Sequence, residues 1–275
     1  MNLPFNAAAL ELSLRFFLKY GILILYVFFE RRVILQENFD DFEMETTSIW
    51  SFPDRGNWAT HAGNYRGNWS PYIPKNLILR YTKENDWVLD PFLGSGTTAV
   101  EAALLQRNFI GVDINPNALE LAQNNMKGID TECHNVLKLG DACKLDFLKN
   151  NSIDLICMHP PYCNIIKYSR NLDGDLSLLE ENDFYEKMKK VAEESHRILK
   201  QGKYLGLLIA DMRKNGYIIP LGFNVMQIFQ NQGFLLKEIV IKEQHNCRST
   251  AKWNNISQNR NFLLIKHEYL LIFRK

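Results

Sequence analysis

A glycine-rich turn set between a strand and a helix constrains this chain more than any other feature: Asp90-Pro-Phe-Leu-Gly-Ser-Gly-Thr-Thr98. The short apolar segment Trp87–Asp90 ends there, and Thr97–Arg107, with helical spacing, begins there. Glycines at such a junction let the backbone turn tightly and let a ligand approach it with no Cβ in the way. No Gly-Lys-Ser/Thr follows, so the turn is not a P-loop. Gly94, Gly96 and Ala99 fit the loose G-x-G-x-x-G/A spacing, which on its own leaves a nicotinamide or flavin cofactor open. Asp90 argues against one, because a carboxylate at the mouth of the turn repels a pyrophosphate and attracts a cation. Asp113 closes the next strand and is placed to accept hydrogen bonds from a ribose diol. These features together suit an adenosine-containing cofactor.

The surrounding pattern fixes the fold class. Trp87–Asp90, Asn108–Asp113, Ile153–Cys157 and Tyr204–Ile209 are apolar, strand-length segments. Between them lie helical patterns at Thr97–Arg107, Asn117–Met126 and Phe184–Leu199. Strands alternating with helices make an α/β, doubly wound, mostly parallel sheet. The rhythm breaks at the end: Phe234–Ile241 and Tyr269–Phe273 read as strands joined without a helix, so an antiparallel pair closes the sheet.

A second constellation follows the Ile153 strand: His159-Pro160-Pro161-Tyr162. Two prolines fix φ and leave a rigid corner without N–H groups. Such a corner exposes carbonyl oxygens at the C-terminal end of the strand, where open α/β sheets bind ligands. Tyr162 sets a flat ring beside them. Carbonyl acceptors next to an aromatic plate suit a planar base with an amino group.

The first forty-five residues stand apart as an apolar extension and an acidic linker, with the main domain at 46–275. The apolar run Tyr20–Phe29 is shorter than the roughly 18–20 residues a membrane span needs. It reads as an element packed on the main body, with membrane contact disfavoured. Cysteines 133, 143, 157, 163 and 247 form no C-x-x-C pair and no Cys/His cluster at metal-ligand spacing. No metal site, reduced thiols and a cytoplasmic location are therefore expected. Net charge is +1, yet from His196 to Lys275 thirteen Lys/Arg stand against four Asp/Glu. A basic C-terminal stretch on an otherwise acidic chain points to a localised anionic partner.

The pairing of Asp90–Thr98 with His159–Tyr162 resembles the cofactor and catalytic motifs of the DNA amino-methyltransferases. These enzymes methylate exocyclic nitrogens of adenine or cytosine. Asp113, Gly140-Asp141-Ala142 and Ser70–Leu77 resemble further elements of that family. The resemblance covers about residues 46–275 and implies a Rossmann-like class I methyltransferase fold with S-adenosylmethionine as cofactor. It implies that Asp90, Pro91, Phe92, Gly94, Gly96 and Thr97 hold the methionine part. Asp113 would bind the ribose, Ile114 would pack on the adenine, and Asp141, with Ala142 beside it, would bind the adenine amino group. A base flipped from double-stranded DNA would stack on Tyr162. The His159 side chain and the Pro160 carbonyl, held rigid by Pro161, would accept from its amino group. Most members carry Asp, Asn or Ser where this chain has His159, which leaves the base open; adenine N6, the commoner target in the family, is weakly favoured over cytosine N4. A neutral imidazole accepts one hydrogen bond, and a protonated one accepts none.

The chain has no room for a separate recognition domain. The polar stretch Gln244–Asn261, with Arg248, Lys252, Trp253 and Arg260, reads as a loop that either faces DNA or is simply solvated. Trp50–Trp69 is aromatic-rich and reads as a packing flap slightly more than as a wall of the cleft. A base in RNA, or a non-catalytic cofactor-binding subunit, are the alternatives; a restriction endonuclease is a conceivable counterpart.

Overall fold

The computed structural model describes residues 42–246 and 250–275. The apolar run Tyr20–Phe29 lies outside the described residues, and from Glu45 onward the chain forms one compact unit.

The apolar segments become the centre of an eight-stranded sheet. In chain order the strands are β1 (Ile49–Trp50), β2 (Trp87–Asp90), β3 (Asn108–Asp113), β4 (Asn135–Leu139), β5 (Ile153–Met158) and β6 (Leu199–Ile209). A short hairpin, β7 (Met212–Lys214) and β8 (Tyr217–Ile219), stands apart, and β9 (Leu235–Glu243) and β10 (His267–Arg274) complete the set. The helices are α1 (Tyr72–Tyr81), α2 (Thr97–Leu104), α3 (Pro116–Met126), α4 (Glu181–Ile198), α5 (Leu221–Asn231) and α6 (Thr250–Arg260). The sheet order is β1-β9-β10-β6-β5-β2-β3-β4.

β2, β3, β4, β5 and β6 run parallel, and every residue of β5 is buried, as expected for a strand covered on both faces. β10 is antiparallel to both β6 and β9, which gives the expected antiparallel closure. From β2 the chain steps outward through β3 to β4, then returns to lay β5 and β6 on the other side. Strand order thus reverses between β2 and β5, and a crevice opens beyond their C-terminal ends. Asp90 and His159 stand at those two ends.

Helix packing follows sequence spacing. α4 buries Phe184, Met188, Val191, Ala192 and Ser195, a single stripe at helical period. The apolar members of that stripe join one core with Ile156, Leu205, Leu207, Val225, Phe229 and Phe273.

Three departures from the sequence reading have physical causes. α2 stops at Leu104, before Arg107, and Gln106 beyond it takes a left-handed φ of 59°. Gln244–Asn261 is not a plain loop, because Thr250–Arg260 forms α6. That helix is mostly polar, and its apolar residues, Ala251, Trp253 and Ile256, are too few to set a period over its length. α1 and α5 also form where no helix was foreseen; in α1, Pro74 falls in the first turn, where proline is tolerated.

Gly96 caps α2 at φ +83°, and a Cβ there would lie 3.0 Å from Ala122 Cβ and 3.2 Å from Ala122 Cα in α3. Gly96→Ala should therefore lose at least about 1–2 kcal/mol, the cost of the left-handed conformation alone. Chemical denaturation measures it, and an unchanged midpoint would contradict this packing.

Candidate active site

The β2–α2 turn is held by two buried carboxylates. Asp90, 2% exposed, accepts from the Phe92 N–H at 2.9 Å and from the Thr98 hydroxyl. Burial pushes its pKa up to about 7, with nearby Asp113 adding to the rise and the two hydrogen bonds opposing it. Asp113 accepts from the Gly94 N–H at 2.8 Å and from the Asn115 N–H at 2.8 Å. One carboxylate thereby ties the turn after β2 to the turn after β3. Burial raises its pKa too, against those backbone donors.

These turns floor a cleft beyond the C-terminal ends of β2 and β3, where open α/β sheets bind ligands. Asp90, Pro91, Phe92, Gly94, Asp113, Ile114, Asp141 and Ala142 all line it. Gly96 and Thr97 are not among its lining residues; Gly96 packs on α3, and the Thr97 hydroxyl donates to Asn68 Oδ1. Thr97 therefore positions Asn68, which does face the cleft.

The aromatic stretch before α1 and the connection after the Pro-Pro corner complete the lining of the cleft. Tyr65, Gly67, Asn68 and Trp69 come from the aromatic stretch before α1, which is a wall as well as packing. Tyr168, Gly174, Asp175 and Leu176 come from the connection after the Pro-Pro corner. Tyr65 and Tyr168 stack at 6.1 Å and 22°. Gly67 makes that closure feasible: its φ is +80°, and a Cβ there would fall 1.8 Å from the Tyr168 hydroxyl oxygen.

A second cleft adjoins the first, and His159 lines both. Pro161 faces the first cleft, whereas Pro160 and Tyr162 face the second. The His159 ring stacks on Trp69 at 5.7 Å and 25°. Its Nε2 lies 2.7 Å from the Tyr162 hydroxyl, which donates to Glu268 Oε1 at 2.8 Å. Lys242 Nζ donates to the other oxygen of Glu268 at 2.8 Å. Burial pulls the His159 pKa down to about 4; Glu268 works against that fall and Lys242 adds to it. The imidazole is therefore neutral near pH 7. For Glu268 burial works upward, but Lys242, His159 and the Tyr162 hydroxyl outweigh it and hold the carboxyl below its ordinary value.

Glu268 and Lys242 were not singled out from sequence. Their one signal is that they face each other across the β10–β9 pair, and that register is legible only once the pairing is known. Of the expected DNA-facing residues, Arg248 lies outside the described residues and the Lys252 side chain is likewise not described. Trp253 is 49% exposed and Arg260 is exposed, both on α6. Gln244, His245 and Ile265, at the two ends of that insertion, line the second cleft.

The sheet order and a cleft at its switch point define a Rossmann-like methyltransferase. A DNA methylase family model matches residues 30–124, and a methyltransferase domain model matches residues 82–262. The chain is 46% identical over 65 residues to the Type II methyltransferase M2.LlaDCHI of Lactococcus lactis subsp. cremoris, 24% of each protein. It is 32% identical over 96 residues to the Type II methyltransferase M2.MboI of Moraxella bovis, 35% of each. The matched stretches thus span about a quarter to a third of these relatives. An S-adenosylmethionine-dependent methyltransferase from Methanosarcina mazei superposes with a TM-score of 0.50 at 18% identity, covering 72% of this chain and 96% of that one. TrmN from Thermus thermophilus superposes equally well, with a TM-score of 0.50 at 18% identity over 82% of this chain and 52% of that one. Both share the fold. The chain belongs to the methyltransferase-domain family.

The residues that line the first cleft fit S-adenosylmethionine. A buried carboxylate with a raised pKa suits a ligand carrying cationic groups, and Asp113 and Asp141 are acceptors along the same cleft. A bound cation favours ionised Asp90, so cofactor affinity should fall as pH drops from 8 to 6 through the Asp90 pKa of about 7. Calorimetric titration measures this; Asp90→Asn should bind more weakly and lose the dependence, and a wild-type affinity constant across that range would contradict it.

Proposed function

We propose that this chain transfers a methyl group to the exocyclic amino nitrogen of a base flipped out of duplex DNA, with adenine N6 favoured over cytosine N4. The observation that carries the reading is the position of His159, one neutral imidazole lining both clefts, with the Pro160 carbonyl corner beside it. The match of residues 30–124 to a DNA methylase model supports DNA as the polymer. Adenine is taken over cytosine because it is the commoner target in the family. A restriction endonuclease counterpart belongs to the same reading.

S-adenosylmethionine supplies an electrophilic methyl group when bound. The chain's own residues supply acceptors, rigidity and exclusion of water. His159 and Pro160 accept the two amino hydrogens, which draws the nitrogen lone pair out of conjugation with the ring. Pro160-Pro161 cannot relax by rotating about φ, so the acceptors stay aimed. Trp69 backs the imidazole, and Tyr162 borders the second cleft, where the flipped base would lie. Catalysis on this account is positioning and electrostatics, with no covalent enzyme intermediate. Extrusion costs a few kcal/mol of stacking and pairing, which contacts in the second cleft must offset.

His159→Ala should lower transfer of labelled methyl groups to duplex DNA by at least about 10²-fold while cofactor affinity is kept. Full activity in that variant would overturn the role. The insertion carrying α6 borders the second cleft and is the proposed phosphate-facing rim. Neutralising Arg248, Lys252 and Arg260 together should lower DNA affinity and reduce the slope of log affinity against log salt by about 3. An unchanged slope would remove the insertion from the interface.

A further inference from the structure

Ionic groups on β9 and β10 reach the proposed acceptor through one hydroxyl. Glu268 has two oxygens and two partners: Lys242 Nζ at 2.8 Å and the Tyr162 hydroxyl at 2.8 Å. An ionised carboxylate only accepts, so Tyr162 must spend its single proton on Glu268. The phenolic oxygen can then only accept from its other neighbour, His159 Nε2 at 2.7 Å. Nε2 must carry the hydrogen. In a neutral imidazole the lone pair then belongs to Nδ1.

We propose that Glu268, paired with Lys242, is a positioning residue that acts through Tyr162 to hold His159 as its Nε2–H tautomer, so that Nδ1 accepts the target amino hydrogen and takes the proton this nitrogen releases. The proposal rests on the base-methylation reading and adds to it what makes a histidine competent at that position. The balance is simple. The N–CH₃ bond forms as the S–CH₃ bond breaks, with its electron pair left on sulfur; one N–H proton passes to Nδ1, and the amino nitrogen ends neutral. The resulting imidazolium keeps Nε2–H directed at Tyr162, and the Glu268 charge lies one hydroxyl away. Trp69 from the flap, Tyr162 and Tyr168 after β5, Asp211 after β6, Lys242 and His245 at the end of β9 and Glu268 from β10 are the ring, titratable and charged groups that share a cleft with this imidazole. Among them Glu268 favours the charged ring and Lys242 opposes it.

The test is two-bond ¹H–¹⁵N correlation of histidine-labelled protein, with the His159→Ala spectrum identifying the His159 signals among the six histidines. Wild type at pH 7 should show the Nε2–H pattern. Tyr162→Phe should give a mixture of tautomers and lower kcat by about 10²-fold, with KM for cofactor and DNA nearly unchanged. Glu268→Gln should move the His159 titration to lower pH and Lys242→Met to higher pH, opposite directions that simple loosening of the fold does not produce. An Nδ1–H pattern in an active wild-type enzyme overturns the relay alone. The Nε2–H pattern in a protein that methylates no amino group overturns the proton-accepting role together with the reading beneath it.

Discussion

Two hydrogen bonds to one carboxylate hold the site together. Asp113, at the end of β3, accepts from Gly94 in the turn after β2 and from Asn115 at the start of α3. The turn that follows the central strand is thereby tied to the neighbouring strand, and the floor of the cleft has one shape. Asp90 closes the same turn from beneath through Phe92 and Thr98. With the floor set, the walls can come from loops: the aromatic flap before α1 and the connection after Pro161 meet where Tyr65 stacks on Tyr168.

The legible part of this protein is the part whose residues are local in sequence. Asp90, Gly94, Asp113 and the Pro-Pro corner sit at strand ends, and the strands are continuous apolar runs, so both sheet and cofactor floor could be read before any coordinates. Other features were illegible because their meaning is non-local. Lys242 opposite Glu268 is an ordinary surface-like pair until β10 is known to lie antiparallel to β9. Asn68 matters because Thr97, from another element, orients it. α6 escaped because its few apolar residues set no clear period, and β4 because it is an edge strand with Val136 and Leu139 exposed and no fully buried residue.

His159 is where local and non-local information meet. The sequence alone shows an unusual residue at the first position of a corner that otherwise fits the family it resembles. The fold surrounds it with an indole, a phenol, a carboxylate and an ammonium, and their combined effect is a buried, neutral ring with an assignable tautomer. A carboxylate or amide at that position needs no such apparatus to be an acceptor. An imidazole does, because only one of its two nitrogens can accept at a time.

The most direct test of the central claim is identification of the product. Duplex DNA incubated with the protein and methyl-labelled S-adenosylmethionine would be digested to nucleosides and analysed by mass spectrometry. The account predicts label on an exocyclic nitrogen, as 6-methyladenine in the favoured case and as 4-methylcytosine in the other. Label on a ring carbon, as in 5-methylcytosine, or no label in DNA from protein that binds the cofactor, would contradict it.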